Sequence, residues 1–535
     1  MCDAMQVESI AATLPDVFNA ATYFVDRNVD AGRGGKIAIE CGERRVSYTQ
    51  LLEGVNRWGH ALRHRLGVRS EERVAMLVLD TPEFAFAFFG AIKAGAVAVP
   101  INTLWRAADY EFVLNDTRAR VLIVSAPLVA EVQRIPRERL PHLVHLVVIT
   151  DGEAPAGALS FTDLLAGGSA ELQAAATHKD EPAFWLYSSG STGAPKGCVH
   201  LQHDMVVCAA GYARGVLGMN EGDRCFSVPK LFFAYGLGNG LYMPFSVGAT
   251  SILSPGPPAP ATVYGVIEAQ RPTLFFSVPT GLAMLLAHER PGRDFDLSSV
   301  RLGISAGESL PAALFERFKQ RFGVEILDGI GSTETLHMFI SNRPGEARPG
   351  SSGRLVPGYQ ARVLDESGAP VPAGEIGNLF VSGDSICALY WNRHQKTKDT
   401  IEGHWIRTGD KYTQDSDGYF WYAGRSDDML KVGGQWVSPT EVEHALSAHE
   451  AVQECAVAAR EDADRLTKPC AFIVLRAGFE GSAQMASDLD AFVRGRLADY
   501  KRPRWFEFVE DLPKTPTGKI QRFKLRRSKG ENATG

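Results

Sequence analysis

The sequence predicts an α/β fold: a large N-terminal domain of parallel-rich α/β sheets that includes a small β subdomain, and a small mobile α+β C-terminal domain. Three observations predict it. Short apolar, β-rich runs alternate with helical patterns through the first third of the chain, and a second such set starts at Gly248. From about Gly353 the pattern changes to short strands with Gly/Pro turns. After Arg425 it changes again, to a compact α+β pattern that runs to the end. Strands buried on both faces and alternating with helices indicate a largely parallel sheet.

The elements follow in order. "YTQLLEGVNRWGHALRHRLG" spaces its apolar residues for a helix, and Gly67 is its stop. Next come "RVAMLVLD" as strand, "PEFAFAFFGAIKAG" as helix, "AVAVPI" as strand, "ADYEFVLNDTRA" as helix and "RVLIVSA" as strand. The second set is "GATSILS", "TLFFSVP", "RLGISAG" and "VEILDGIGSTE". "RVLDESGAPVPAGEIGNLFVSG" and "DGYFWYAGR" read as the β subdomain. The expected division is therefore an N-terminal domain over 1–424, α/β to about 352 and β-rich over about 353–424, then a C-terminal domain over 425–535 with a hinge at about 425–428.

Bulk properties narrow the function classes. A chain of 535 residues is too long for one core. With 45% apolar and 22% charged residues it has an ordinary globular composition, and a net charge of −6 gives no reason to expect nucleic acid or an acidic membrane as partner. Its eight cysteines lack disulfide or zinc spacing and read as reduced thiols in a cytoplasmic protein. The first 21 residues lack the basic and apolar regions of a secretory signal. The apolar run Phe84 to Pro100 is interrupted by Lys93 and Gly95, which suits a buried helix and strand and not a membrane span. Seven basic residues lie between Lys514 and Lys529; a solvated tail and a nucleotide-phosphate contact are both open.

"YSSGSTGAPKG", Tyr187 to Gly197, is close to the nucleotide P-loop but departs from it. Counted from Gly190, Pro195 stands where the second Gly belongs, and Gly197 replaces the Ser/Thr after Lys196. Gly190, Gly193 and Gly197 allow close approach of backbone to an anion. Ser188, Ser189, Ser191 and Thr192 add hydroxyl donors, and Lys196 adds a charge. Alone, the stretch leaves phosphate binding and a structural turn both open. Four more motifs follow in order: "GIGSTE" ending at Glu334, "WIRTGD" ending at Asp410, "GRSDDMLKVGGQWVSPTEVE" from Gly424, and "PKTPTGKIQR" containing Lys519.

Together these motifs resemble the adenylate-forming superfamily of acyl- and aryl-CoA synthetases, luciferases and peptide-synthetase adenylation domains. The resemblance runs from about Phe18 to Phe523. "WLYSSGSTGAPKG", "KLFFAYGLGNG" and "DGIGSTETLH" are most similar to benzoate-CoA ligases, including Ile330 where many relatives carry Tyr. It implies a two-step ligase: carboxylate and ATP give acyl-AMP and pyrophosphate, and coenzyme A then gives acyl-CoA and AMP. Charge develops on the α-phosphate and on departing pyrophosphate, so Mg2+ and pre-set cations are needed.

The resemblance also implies roles. Ser188, Ser189, Gly190, Ser191, Thr192, Gly193 and Lys196 hold the β- and γ-phosphates. Glu334 is the Mg2+ ligand and Thr333 touches the α-phosphate. Ala306, Gly307 and Glu308 flank the adenine, opposite Asp328, Gly329, Ile330, Gly331 and Ser332. Asp410 binds the ribose, with Arg425 nearby. Lys519 bridges the carboxylate and α-phosphate in the first step only, and Asp427 is the hinge. Ala234, Tyr235, Gly329, Ile330 and His337 form the acid pocket. Gly433 and Gly434 line the pantetheine path beside Trp436, while Tyr500, Lys501 and Arg502 meet the CoA nucleotide.

Each residue alone has a plainer reading. Glu334 fits a helix-start acid, Asp410 a turn residue, Lys519 a tail lysine and Trp436 a core aromatic. The Phe232, Phe233 and Tyr235 group fits ordinary core packing, and Tyr500 to Arg502 a surface loop. The expected small partners are an aromatic carboxylic acid, ATP and CoA. Benzoate comes first; hydroxy-, amino- or halobenzoates and other small cyclic acids stay open. A protein that loads an aryl acid onto a carrier protein, and a non-catalytic nucleotide-binding relative, are the other function classes. A place in aromatic-acid degradation follows from family analogy alone. Oligomeric state is left open.

Overall fold

The computed structural model describes residues 9–188, 195–291, 294–426, 428–432, 435–462, 466–514 and 520–525. Two large mixed sheets dominate. The first has eight strands. Pro182–Ser188, Val97–Pro100, Arg73–Leu77, Val121–Ser125, His145–Ile149 and Leu159–Ser160 run parallel, and Lys196–Leu201 and Leu389–Tyr390 are added antiparallel at one edge. The second has nine. Its parallel centre is Ile326–Gly331, Leu302–Ser305, Leu274–Ser277, Arg224–Ser227, Thr250–Leu253 and Ile37–Cys41. Antiparallel strands close both edges: Met338–Ser341 with Arg354–Leu355, and Arg44–Ser47.

Apolar helices fill the space between the sheets. Tyr48–His64 starts at a capping box, with Ser47 and Gln50 satisfying each other's backbone N–H. It crosses Pro82–Lys93, in which every residue but Glu83 is buried. The backbones meet where side chains are missing: a Cβ on Gly90 would stand 2.7 Å from Trp58 and 2.8 Å from the Val55 carbonyl. Lys93, the charge inside the apolar run, is buried there and paired with Asp26 at 2.5 Å and Asn56 Oδ1 at 2.7 Å. A charge this deep is tolerated because it is paired and hydrogen-bonded. Ile37–Cys41 has no clear period and was not expected as a strand. It joins the second sheet beside Thr250–Leu253, a long-range pairing that no local pattern encodes.

The β-rich region forms a five-stranded antiparallel sheet: Gln360–Leu364, Gly377–Ser382, Trp405–Gln414, Ile401–Glu402 and Phe420–Arg425. It is tied to the second sheet by the bridge of Gly353 with Phe420. Beyond it, Leu430–Val432 pairs with Gln435–Val437. A three-stranded sheet of Val452–Glu461, Thr467–Leu475 and Trp505–Phe508 then packs with the helices Pro439–Ser447 and Ala483–Arg494 around Val442, Leu446, Val457, Ile473 and Leu489. The seven described cysteines are all free and buried. No helix among the described residues is long and apolar enough to cross a membrane.

Candidate active site

Parallel strands end together at the lip of the second sheet. Leu302–Ser305 and Ile326–Gly331 are neighbours, with Ser305 opposite Asp328. The turn Ala306 to Glu308 and the segment Asp328 to Gly331 therefore emerge side by side at the carboxyl ends of the strands, where open α/β sheets bind ligands. Gly307 takes φ +87°, a conformation that suits a residue without Cβ. Thr280 donates to Glu308 Oε2 at 2.8 Å. Burial pushes the Asp328 carboxyl well above its ordinary range.

Past Gly331 the chain does not start a helix. Ser332 to His337 form a tight turn that returns antiparallel along Met338–Ser341, so Glu334 is not a helix-start acid. The turn is fastened at successive carbonyls. His200 Nε2 is 2.8 Å from the Thr333 oxygen, and the Cys387 N–H donates to the Glu334 oxygen at 2.7 Å. Ser385 Oγ donates to the Thr335 oxygen at 2.8 Å, and Thr335 Oγ1 donates to the His337 oxygen at 3.0 Å. Leu336 is held at φ +65°, a strained value for a side chain with γ-branching.

Glu334 is thereby presented to Lys196, the first residue of the strand that follows the phosphate motif. Lys196 Nζ lies 2.8 Å from Glu334 Oε1 and 3.0 Å from Tyr390 Oη, and Tyr390 Oη donates to the same Oε1 at 2.7 Å. The ammonium also sits 4.2 Å from the Tyr390 ring centroid. Burial alone would raise the Glu334 pKa. The Lys196 charge and the two hydrogen bonds outweigh it and hold the group down to about 2. Glu334 is thus a carboxylate, a hard oxygen donor with one oxygen already engaged by the Lys196 ammonium and the Tyr390 hydroxyl. Among the described residues no group of three or more His, Cys, Asp or Glu could hold a metal ion. A single carboxylate completed by substrate phosphates and water is a site that fits Mg2+. Of the other phosphate-loop residues, Ser188 ends its strand opposite Lys196, with its Oγ buried. Ser189, Gly190, Ser191, Thr192 and Gly193 lie outside the described residues.

Asp410 is not a turn residue. It lies inside Trp405–Gln414 as the cross-strand partner of Arg425, whose Nη1 donates to Asp410 Oδ1 at 2.9 Å. The expected ribose pair is thus already joined as an ion pair. Toward the interior, the Tyr235 and His337 rings lie 5.6 Å apart, and Phe276 meets Tyr235 edge-on at 6.5 Å. Ala234 is buried at the start of the helix that carries Tyr235. Gly329 and Ile330 pair with Ser341 and Ile340 on the neighbouring strand. A Cβ on Gly238 would be 2.5 Å from the His337 ring, so this glycine admits the imidazole. Burial lowers the His337 pKa to about 3, so the ring is neutral. Its Nε2 pairs with Asn239 Oδ1 at 3.0 Å, and Nδ1 is buried without a hydrogen-bond partner among the described residues. Phe232 is buried, its ring 4.3 Å from that of Phe233.

On the C-terminal side, His444 Nε2 lies 3.5 Å from Ser309 Oγ, next to the Ala306 to Glu308 turn. Tyr500 is on the surface. Lys501 is held by both Glu441 oxygens, at 2.7 and 2.8 Å, and Arg502 by Asp490 and Asp499. Trp436 lies opposite Lys431 in a strand pair. Asp427, Gly433, Gly434 and Lys519 lie outside the described residues.

A family model described as AMP-binding enzyme matches residues 25–391, and one for the AMP-binding enzyme C-terminal domain matches 441–519. The chain belongs to the AMP-binding enzyme family. Among similar members, a benzoate–CoA ligase of Thauera aromatica is 50% identical over 520 residues, 96% of this chain and 97% of that protein. The crystal structure of the anthranilate CoA ligase AuaEII in complex with anthranoyl-AMP is 46% identical with a TM-score of 0.92, covering 96% of this chain and 98% of the other. That of a benzoate CoA ligase from Burkholderia xenovorans is 45% identical with a TM-score of 0.86, covering 95% of this chain and all of the other.

Two residues at this candidate site escaped the sequence reading. Tyr390 lies 194 positions from Lys196, in the two-residue edge strand Leu389–Tyr390. No local pattern marks it beyond an aromatic pair, Tyr390 and Trp391. His200 is four residues past Lys196 on an alternating strand, and that spacing alone placed both on one face.

Proposed function

We propose that this member of the family is an AMP-forming aryl-CoA ligase that uses ATP, Mg2+ and coenzyme A, with benzoate as its acid. The observation that carries the reading is adjacency: the rings of Tyr235, His337 and Phe276 adjoin the turn that presents Glu334 to Lys196. The benzoate–CoA ligase relative at 50% identity supports the same acid. Flat edge and face contacts favour an aromatic ring over an alkyl chain.

In the first step a carboxylate oxygen forms a bond to the α-phosphorus and the bond to pyrophosphate breaks. In the second the CoA sulfur bonds to the acyl carbon and AMP leaves. Bound Mg2+ supplies charge neutralisation at the phosphate oxygens. The chain supplies the rest. Ser188 to Lys196 bind the outer phosphates, and Lys196 turns from Glu334 toward them, leaving the carboxylate to the metal. Asp410 and Arg425 hold the ribose, and Ala306 to Glu308 face the adenine across Asp328 to Ser332. Lys519 is assigned to the first step, with the domain boundary and hinge near 425–428. Tyr500, Lys501, Arg502, Gly433, Gly434 and Trp436 are assigned to CoA, whose phosphates then compete with Glu441, Asp490 and Asp499. A cytoplasmic setting agrees with the free thiols.

The unpartnered Nδ1 of His337 favours a second acid class, benzoates with a donor such as an amino or hydroxyl group on the ring. Pyrophosphate release over a panel of acids, with and without CoA, tests the reading. Benzoate-dependent release with CoA-dependent thioester is expected. Activity confined to C12–C18 acids overturns the acid assignment. Release without transfer to CoA points to a carrier-protein acceptor, and no release with any acid overturns the enzyme reading.

A further inference from the structure

One face of the strand Lys196–Leu201 braces the Ser332 to His337 turn at three successive inward positions. Lys196 grips the Glu334 side chain. Cys198 packs with Cys387 and Tyr390 behind it. His200, fully buried, reaches the backbone at Thr333. The imidazole is fixed on all sides: Nε2 is 2.8 Å from the Thr333 carbonyl, Nδ1 is 2.7 Å from Asp204 Oδ2, and the ring stacks on Phe184 at 5.2 Å and 15°. Asp204 is fixed in turn by the Leu201 N–H on the same oxygen, and its other oxygen lies 3.2 Å from His203 Nε2. His203 is moored to the carbonyls of Lys179 and Asp384. A carbonyl oxygen only accepts, so Nε2 carries the proton given to Thr333, whether the second shared proton sits on Nδ1 or on Asp204.

This buried chain ends on the peptide that joins Thr333 to Glu334. We propose that His200, oriented by Asp204, is a positioning residue for adenylation. Its hydrogen bond fixes the Thr333–Glu334 peptide so that the carboxylate meets Mg2+ and the Thr333 hydroxyl meets the α-phosphate. The inference rests on the ATP- and Mg2+-dependent reading above. The physical reason is that a ligating carboxylate on a turn is only as well placed as the backbone beneath it, and partners behind a metal ligand commonly set its affinity.

The test compares His200→Leu, His200→Gln and Asp204→Asn with the unaltered protein in three measurements. Calorimetric titration gives ATP affinity with and without Mg2+. Acid-dependent pyrophosphate exchange is followed against Mg2+ concentration. Thioester formation is followed from supplied benzoyl-AMP and CoA. His200→Leu is expected to erase about tenfold of the gain in ATP affinity that Mg2+ brings, and to raise the Mg2+ needed for half-maximal exchange by a similar factor. Thioester formation is expected to be unchanged. His200→Gln, which keeps an N–H donor, recovers most of the loss, and Asp204→Asn lies between. An unaltered Mg2+ dependence in His200→Leu overturns the proposal. So does an equal fall in both half-reactions that tracks a lowered Tm. If His200→Leu does not fold, the same Mg2+ titrations on His200→Gln and Asp204→Asn decide the matter, and no shift in either overturns it. Absence of exchange in the unaltered protein overturns the ligase reading instead.

Discussion

The turn Ser332 to His337 and the cluster Asp499 to Arg502 are both lined by charge, and they are built in opposite ways. In the turn, hydrogen bonds at the carbonyls of Thr333, Glu334, Thr335 and His337 leave little freedom, and Glu334 has only 14% of its side chain exposed. Its partners hold its pKa down to about 2. In the cluster the cations Lys501 and Arg502 are about as buried as Lys196, and the difference lies in their partners: Glu441 is 42% and Asp499 92% exposed. Ion pairs in water are worth about 0–1 kcal/mol and are readily exchanged, while pairs held out of water are expensive to break. On the proposed reading the difference teaches where rigidity belongs: the step that builds charge on phosphate uses preset donors, and the surface assigned to CoA uses exchangeable ones.

The largest test of this contrast is Glu334→Gln. It keeps size and one hydrogen-bonding oxygen but removes the charge facing Lys196. Acid-dependent pyrophosphate exchange is expected to fall by about 100- to 1000-fold, in line with loss of a preset electrostatic group. A fall of less than about tenfold would sink the idea that rigidity is concentrated here.

Acid stability separates the regions next. Burial depresses the His337 pKa from 6.5 to about 3, so the unfolded chain binds its proton first. The contribution is complete above pH 6.5 and is lost as pH falls toward 3, at up to about 1.4 kcal/mol per pH unit. Glu334, depressed from 4.5 to about 2, adds a loss below pH 4.5. Denaturant melts from pH 7 to pH 3 are expected to show the stability falling from pH 6.5, and His337→Leu is expected to flatten the upper part of that slope.

Tyr390→Phe has a smaller reach. It removes the hydroxyl that donates to Glu334 and accepts from Lys196, leaving the ring and its cation contact. A cost of about 1.5–3 kcal/mol is expected in adenylation, read as kcat/KM for ATP. Smallest is Lys501→Ala, which frees Glu441 at the surface. The KM for CoA is expected to rise by less than about fivefold, with a salt-sensitive change. A loss comparable with that of Glu334→Gln would show that the cluster is as preset as the turn.

The sequence carried a good part of this site because phosphate chemistry demands residue types in series. The Gly- and hydroxyl-rich stretch with Lys196, the acid Glu334 and the Asp410 motif were legible in order, and so were the strands that end beside them. Local reading misjudged what their backbones do. Glu334 read alone as a helix start is a return turn, because Met338–Ser341 finds an antiparallel edge on Ile326–Gly331. Asp410 read alone as a turn residue is in a strand, because Arg425 stands opposite it. Both outcomes depend on cross-strand pairing between whole segments, and the preference of a single residue yields to such pairing.

By itself, then, the sequence determined the alternation of strands and helices and the Gly, hydroxyl and Lys residue types expected at phosphate, since these follow from local periodicity and side-chain chemistry. Tertiary structure alone decided that Tyr390 shares Glu334 with Lys196, that His200 holds the Thr333 carbonyl, and that His337 is a buried, neutral ring beside Tyr235. Those facts depend on which distant groups meet and how far water is excluded, and burial acts on a charge or a hydrogen bond only once the whole chain has closed around it.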